Sequence, residues 1–154
     1  MNKGFTLIEI LVVIGILAIL AGIVIVAINP AKQFAQSRNA QRESNVNTIL
    51  DAIGQRLVDN AGTFPEAAGC DNVTEAGAVI GSGAGQIDLS CLVPTYISTT
   101  LPVDPSLSGA HWTSAADYDT EYTVSRNDTG RFKVCAPGHE ETAIPDSSEY
   151  CLER

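Results

Sequence analysis

Few of the 154 residues stand where they could do chemistry, and the first is Glu9. Its carboxylate lies inside a run from Phe5 to Ile28 whose other members, Thr6 excepted, are all apolar or small. A carboxylate within a lipid-spanning helix costs up to ~3 kcal/mol near the centre and less toward an end. Its position therefore asks for a cation. Gly4 stands just before the run and leaves the backbone open to a protease. Hydrolysis of the Gly4-Phe5 bond would create a Phe5 ammonium four positions before Glu9, close enough on a helix for a charge pair within one chain or between neighbours. Without such a partner Glu9 would snorkel to the interface.

The next reactive groups are Cys70, Cys91, Cys135 and Cys151, an even number and all beyond the apolar run. That pattern points to disulfides in an oxidising compartment. Three pairings are possible. Cys70 with Cys91 and Cys135 with Cys151 is favoured, because each closes a loop of about twenty residues worth ~3 kcal/mol in the chain-entropy account. His111 and His139 have neither a nucleophile nor metal-ligand spacing around them, and no enzyme is expected. Asp117, Asp119 and Glu121 offer clustered oxygens, a weak calcium pattern. An EF-hand loop would need glycine where Tyr122 sits, so no metal or cofactor is expected. Gly77, Gly81, Gly83 and Gly85 lack the Lys-Ser/Thr of a phosphate cradle and read as a loop.

These groups must be positioned by four stretches. Residues 1–4 form a short leader. Residues 5–28 are long enough, at ~1.5 Å per residue, to cross a ~30 Å hydrocarbon layer as one helix. On that helix Gly15, Ala18 and Gly22 form a small stripe on which a second helix could pack closely. Asn29-Pro30 predicts a kink. Residues 29–61 continue as an amphipathic helix with a seam of Val46, Ile49, Leu50, Ile53 and Leu57. Its first half, polar apart from Phe34 and alanines, is expected to face water or other subunits. Gly62 marks the stop, and an unbroken helix from Phe5 to Asn60 would be roughly 80 Å long.

Residues 62–154 read as a distal domain rich in turns. Phe64-Pro65 and Leu101-Pro-Val-Asp-Pro105 are turn signals. Tyr122–Arg126 and Arg131–Ala136 alternate around a turn at Asn127–Gly130 and predict a hairpin, with Tyr150–Leu152 a third strand. A helix seam over one apolar sheet face gives an α+β fold, a long N-terminal helix packed on a small antiparallel sheet. Net charge is −9, with fourteen acidic against four basic residues after Phe64. Such a field suits a water-facing surface and disfavours unspecific nucleic-acid binding.

Lys3-Gly4-Phe5-Thr6-Leu7-Ile8-Glu9 and the apolar stretch behind it resemble the prepilin signature of bacterial type IV pilins and type II secretion pseudopilins. The resemblance covers about the first 28 residues. It implies a membrane precursor cut after Gly4 by a prepilin peptidase, N-methylation of Phe5, and pairing of Glu9 with the Phe5 amine of an adjacent subunit. It further implies a single-pass precursor in the inner membrane with its distal domain outside the cytoplasm, pilus or secretion machinery as partners, and a homo-oligomeric helical filament at the cell surface. The Leu101–Pro105 segment resembles pseudopilins, whereas a Cys135–Cys151 bridge resembles the C-terminal disulfide loop of many pilins.

Overall fold

Thr6 starts the first helix. Its backbone is extended (φ −84°, ψ 152°), and it exchanges hydrogen bonds with Glu9 in a capping box, which satisfies two of the N–H groups that a helix start leaves without partners. In the computed structural model, which describes residues 4–64 and 69–154 and only the backbone at Val26, α1 spans Leu7–Ile28 and α2 spans Pro30–Asp59. The leader residues before Gly4, and the chain after Phe64 as far as residue 68, lie outside the described residues.

The stem is two helices, where the periodicity allows a single one. Asn29 adopts the left-handed conformation (φ 47°) and both ends α1 and caps α2, its Oδ1 accepting the Lys32 N–H at 3.3 Å. Asparagine tolerates that conformation better than most residues. Pro30 then has no N–H to donate back into α1, but fits the first position of α2, where none is needed. At the other end Gly62 (φ 85°) donates its N–H to the Leu57 carbonyl at 2.8 Å and stops α2, as glycine does beyond a helix end.

α2 buries one continuous stripe, Ala35, Asn39, Arg42, Val46, Ile49 and Ile53, at the alternating three- and four-residue spacing of a helix face. This corrects the expectation that its first half faces only water or other subunits. Asn39 and Arg42 are polar but point into the same domain as Val46.

Five antiparallel strands lie against that stripe: β1 Ala78–Gly81, β2 His111–Ser114, β3 Asp117–Arg126, β4 Phe132–Ala136 and β5 Tyr150–Glu153. Their order is β1-β3-β4-β5, with β2 also paired to β3. On β3 the alternate residues Tyr118, Thr120, Tyr122 and Val124 are buried, the period of a half-covered strand. The β3–β4 hairpin pairs Arg126 with Phe132, and β5 places Leu152 opposite Val134. Phe132 meets Phe64 with ring centroids 5.2 Å apart.

Two strands depart from the sequence reading. The glycine-rich run is not all loop, because Ala78–Gly81 pairs with β3. Gly77 allows this close pairing: at φ +64° a Cβ there would stand 2.8 Å from the Ser125 Cβ. The β1–β3 register slips between Val79 and Gly81, and Glu121 takes φ 60° opposite the slip, the signature of a bulge. The short strand β2, with the Trp112 ring tilted against Tyr118 at a centroid distance of 4.7 Å, carries no recognisable sequence signal.

Candidate functional site

The first site is the start of α1. The Thr6 N–H and hydroxyl donate to one oxygen of Glu9, Oε2, at 2.7 and 2.8 Å. The Thr6 hydroxyl in turn accepts the Glu9 N–H at 3.3 Å. Glu9 Oε1 makes no hydrogen bond among the described residues, so the carboxylate is held in place with one oxygen open to an incoming donor. Gly4 and Phe5 precede the helix and are exposed, Phe5 by 85%. From Leu7 to Ile28 every side chain described is exposed as well. At Gly15 and Gly22 an added Cβ would meet nothing within 4 Å, so the small stripe with Ala18 is an open face. A helix this apolar has no stable place in water. Residues Leu7–Ile25 are long and apolar enough to cross a membrane.

The second feature, invisible to local pattern, locks the stem to the distal domain. Arg42 is 1% exposed; its Nε and Nη2 grip Asp104 at 2.6 and 3.0 Å, and its Nη1 reaches Glu141 at 2.6 Å. Nη2 also donates to the Ser106 hydroxyl and Nη1 to Asn39 Oδ1. A two-point Arg–carboxylate grip is the strong form of such a pair. Arg38 adds two bonds to Glu141, both at 2.6 Å. Hydrogen bonds from Arg38, against some burial and with help from Arg42, hold the Glu141 carboxyl at about 2. Burial pushes the Asp104 carboxyl up, but Arg42 and the Ser106 and Leu107 N–H groups outweigh it and leave it below its ordinary value. Asp104 thus gives the Leu101–Pro105 turn a structural task in this chain.

Cys70 is bonded to Cys91 and Cys135 to Cys151, with Cα atoms 5.3 and 4.1 Å apart. The second bridge joins β4 to β5 across the register pair Cys135↔Cys151 and closes the loop that carries Glu141. The calcium candidates do not converge. Asp117 meets His111 at 3.3 Å, Asp119 accepts from Gln86 and from the Glu121 N–H, and burial with Asp119 nearby raises the Glu121 carboxyl. Among the described residues the gathered trio is Cys135, Glu149 and Cys151, two of which are spent on their disulfide. His139 bridges the Ser148 carbonyl at 2.8 Å and Glu43 at 3.4 Å and fastens the same loop to α2.

Residues 1–25 match the family described as the prokaryotic N-terminal methylation motif. The chain therefore carries the prepilin-type signature of type IV pilins and pseudopilins. With an apolar N-terminal helix and a second helix packed on an antiparallel sheet, it is an α+β protein of pilin-like build. The motif implies processing by prepilin peptidase and assembly into pilus or secretion machinery, and it marks structural proteins. The motif and the apolar helix fit a membrane-anchored precursor. No curated protein and no solved structure matches the chain.

Proposed function

We propose that this chain is a pilin, a structural subunit of a type IV pilus. It is stored in the inner membrane with residues 62–154 outside, cut after Gly4, methylated on Phe5 and assembled through residues 5–28 into a homo-oligomeric filament. Glu9 receives the Phe5 ammonium of the adjacent copy, and Gly15, Ala18 and Gly22 let neighbouring helices approach. The observation that carries this reading is the conjunction at α1. A matched methylation motif opens a helix exposed at every side chain described, and a positioned carboxylate waits near its start. Burying that helix in lipid before assembly and in other copies afterwards satisfies the same apolar surface twice. The C-terminal disulfide loop, held by Arg38 and Arg42, favours a pilin with an exposed, durable coat.

A pseudopilin of a type II secretion system is the second reading, favoured by the Leu101–Pro105 segment, and it uses α1 in the same way. Shearing filaments from cells and sequencing their subunit separates the two. Long surface filaments built from this chain, beginning with a methylated Phe5, are expected. The chain confined to the envelope and lost together with protein export would point to a pseudopilin. Gly4→Leu should leave the uncut precursor in the membrane; normal removal of the leader from that variant would end both readings.

A further inference from the structure

Every basic residue of the chain beyond Phe64, namely Arg126, Arg131, Lys133 and Arg154, lies in the β3–β4 hairpin or at the end of β5. Fourteen acidic residues share that part of the chain. The segregation runs along the stem. Arg154, whose backbone pairs with Phe132, binds Asp51 in the second half of α2. The loop between β4 and β5 holds Glu140, Glu141, Asp146 and Glu149 and no Lys or Arg. Glu141 fixes this loop to Arg38 and Arg42 in the first half of α2. The two ends are separated by roughly 20 Å along the helix, at ~1.5 Å per residue.

The neighbours of each patch decide which charges remain. At the hairpin end Arg131 leans on Glu153 at 3.5 Å and Arg154 on Asp51, Arg126 lies over the Phe132 ring, and Asp128 sits in the turn. Lys133 is exposed on the outer face, and its side chain makes no hydrogen bond or ion pair among the described residues. At the loop end both helix cations are consumed by Glu141 and Asp104. Glu140, Asp146 and Glu149 remain exposed, with no cation on their carboxylates among the described residues.

We propose that the hairpin end, through Lys133 and Arg131, docks on the carboxylates of the 137–149 loop of a second copy. This rests on the filament reading. Copies inserted from one membrane share an orientation, so an axial step of about 20 Å, the patch separation above, brings the hairpin of one beside the loop of the next. The contact is head-to-tail and repeats without closing, as a fibre requires. It also relieves the repulsion of packing acidic copies, whose −9 over the full chain becomes −10 once Lys3 leaves with the leader (8 Lys/Arg against 18 Asp/Glu), and opposed patches of this kind set register and exclude wrong pairings.

The test uses the full chain as the sole subunit in its own cells. Arg131→Glu with Lys133→Glu, and separately Glu140→Lys with Glu149→Lys, should each lower the yield of sheared filaments by about tenfold, with normal amounts of processed, disulfide-bonded subunit in the membrane. Combining all four changes should restore filaments, which a merely destabilised fold would not do. Because Lys133 faces Glu153 across the strands, Lys133→Gln serves as a milder second variant. It should give filaments that fall apart at lower salt than the wild type. Wild-type yield from both reversals, or no rescue on combining them, overturns this contact while leaving the filament reading intact. Normal filaments that have lost binding to double-stranded DNA would assign the hairpin to nucleic acid instead. Absence of filaments from the wild type would overturn the filament reading itself.

Discussion

Replacing Arg42 by methionine keeps an unbranched stem and the helix propensity of the side chain but removes the guanidinium from between Asp104 and Glu141. Asp104 is only 1% exposed at its side chain, so it cannot turn to water, although the Ser106 and Leu107 N–H groups still reach it. Glu141 keeps Arg38. Breaking a buried pair from one side costs about 3–5 kcal/mol, because the other charge is left behind. The surviving partners of both carboxylates place this case near the lower figure. About 3 kcal/mol is a large share of the 5–15 kcal/mol that holds a domain together, and corresponds to a Tm lower by roughly 10–15 °C for a unit of about 120 residues, from Ala35 to the C-terminus. Thermal unfolding of the whole chain in detergent, followed by near-ultraviolet circular dichroism, measures it. Adding Asp104→Asn to Arg42→Met should recover part of the loss, giving a coupling above ~1 kcal/mol in a double-mutant cycle. A Tm within 2–3 °C of the wild type for Arg42→Met, or additive losses, would refute the account of this pair.

Three further outcomes follow from the same geometry. The folded pKa of Glu141 lies near 2, below its ordinary value, so on acidification the unfolded chain takes up the proton first. Its contribution, of order 2 kcal/mol, is complete above about pH 5 and fades toward pH 2, and Glu141→Gln should flatten that part of the stability profile. Cys135→Ser with Cys151→Ser opens a loop with a sequence separation of 16 and should cost ~3 kcal/mol, with early proteolysis between the two sites; unchanged protection would contradict it. Glu9→Leu should insert and be processed at Gly4 but yield few filaments, since the incoming Phe5 ammonium would be buried without a partner at several kcal/mol; full piliation would show that Glu9 only snorkels.

The parts of this fold that could be read from sequence are those whose signal is local. An uninterrupted apolar run marks α1, alternation marks β3 and β4, and Tyr150–Leu152 falls within β5. Asn29-Pro30 marked the break, since proline acts on its own neighbours. Asn39 and Arg42 escaped, although both stand at the right spacing to extend the Val46 seam. The burial of Arg42 depends on Asp104 and Glu141, 62 and 99 residues away in the chain, and that of Asn39 on the His139 carbonyl, 100 residues away, whereas helix periodicity counts polar and charged residues as solvent-facing. β1 escaped for the converse reason. Gly77 precedes it because β3 approaches closely there, and close approach is a property of the pair of strands. At the N-terminal site the motif residues were legible one by one. The hold of Thr6 on a single oxygen of Glu9 needed coordinates.

The sharing of Asn29 between two helices has a mechanical consequence. α2 has 30 residues and so measures about 45 Å, while the backbone joint at its base is one residue carrying two soft torsions. A turn of about 10° at Asn29 swings the far end of α2 by some 8 Å over that length. The stem is therefore geared. Slight resetting at the membrane end is multiplied at the end where the distal domain ends its packing against α2. Stiffness in an assembled fibre would then come from contacts among heads, while the backbone at each base stays compliant, and a pull on the fibre would be taken up first as rotation at these joints.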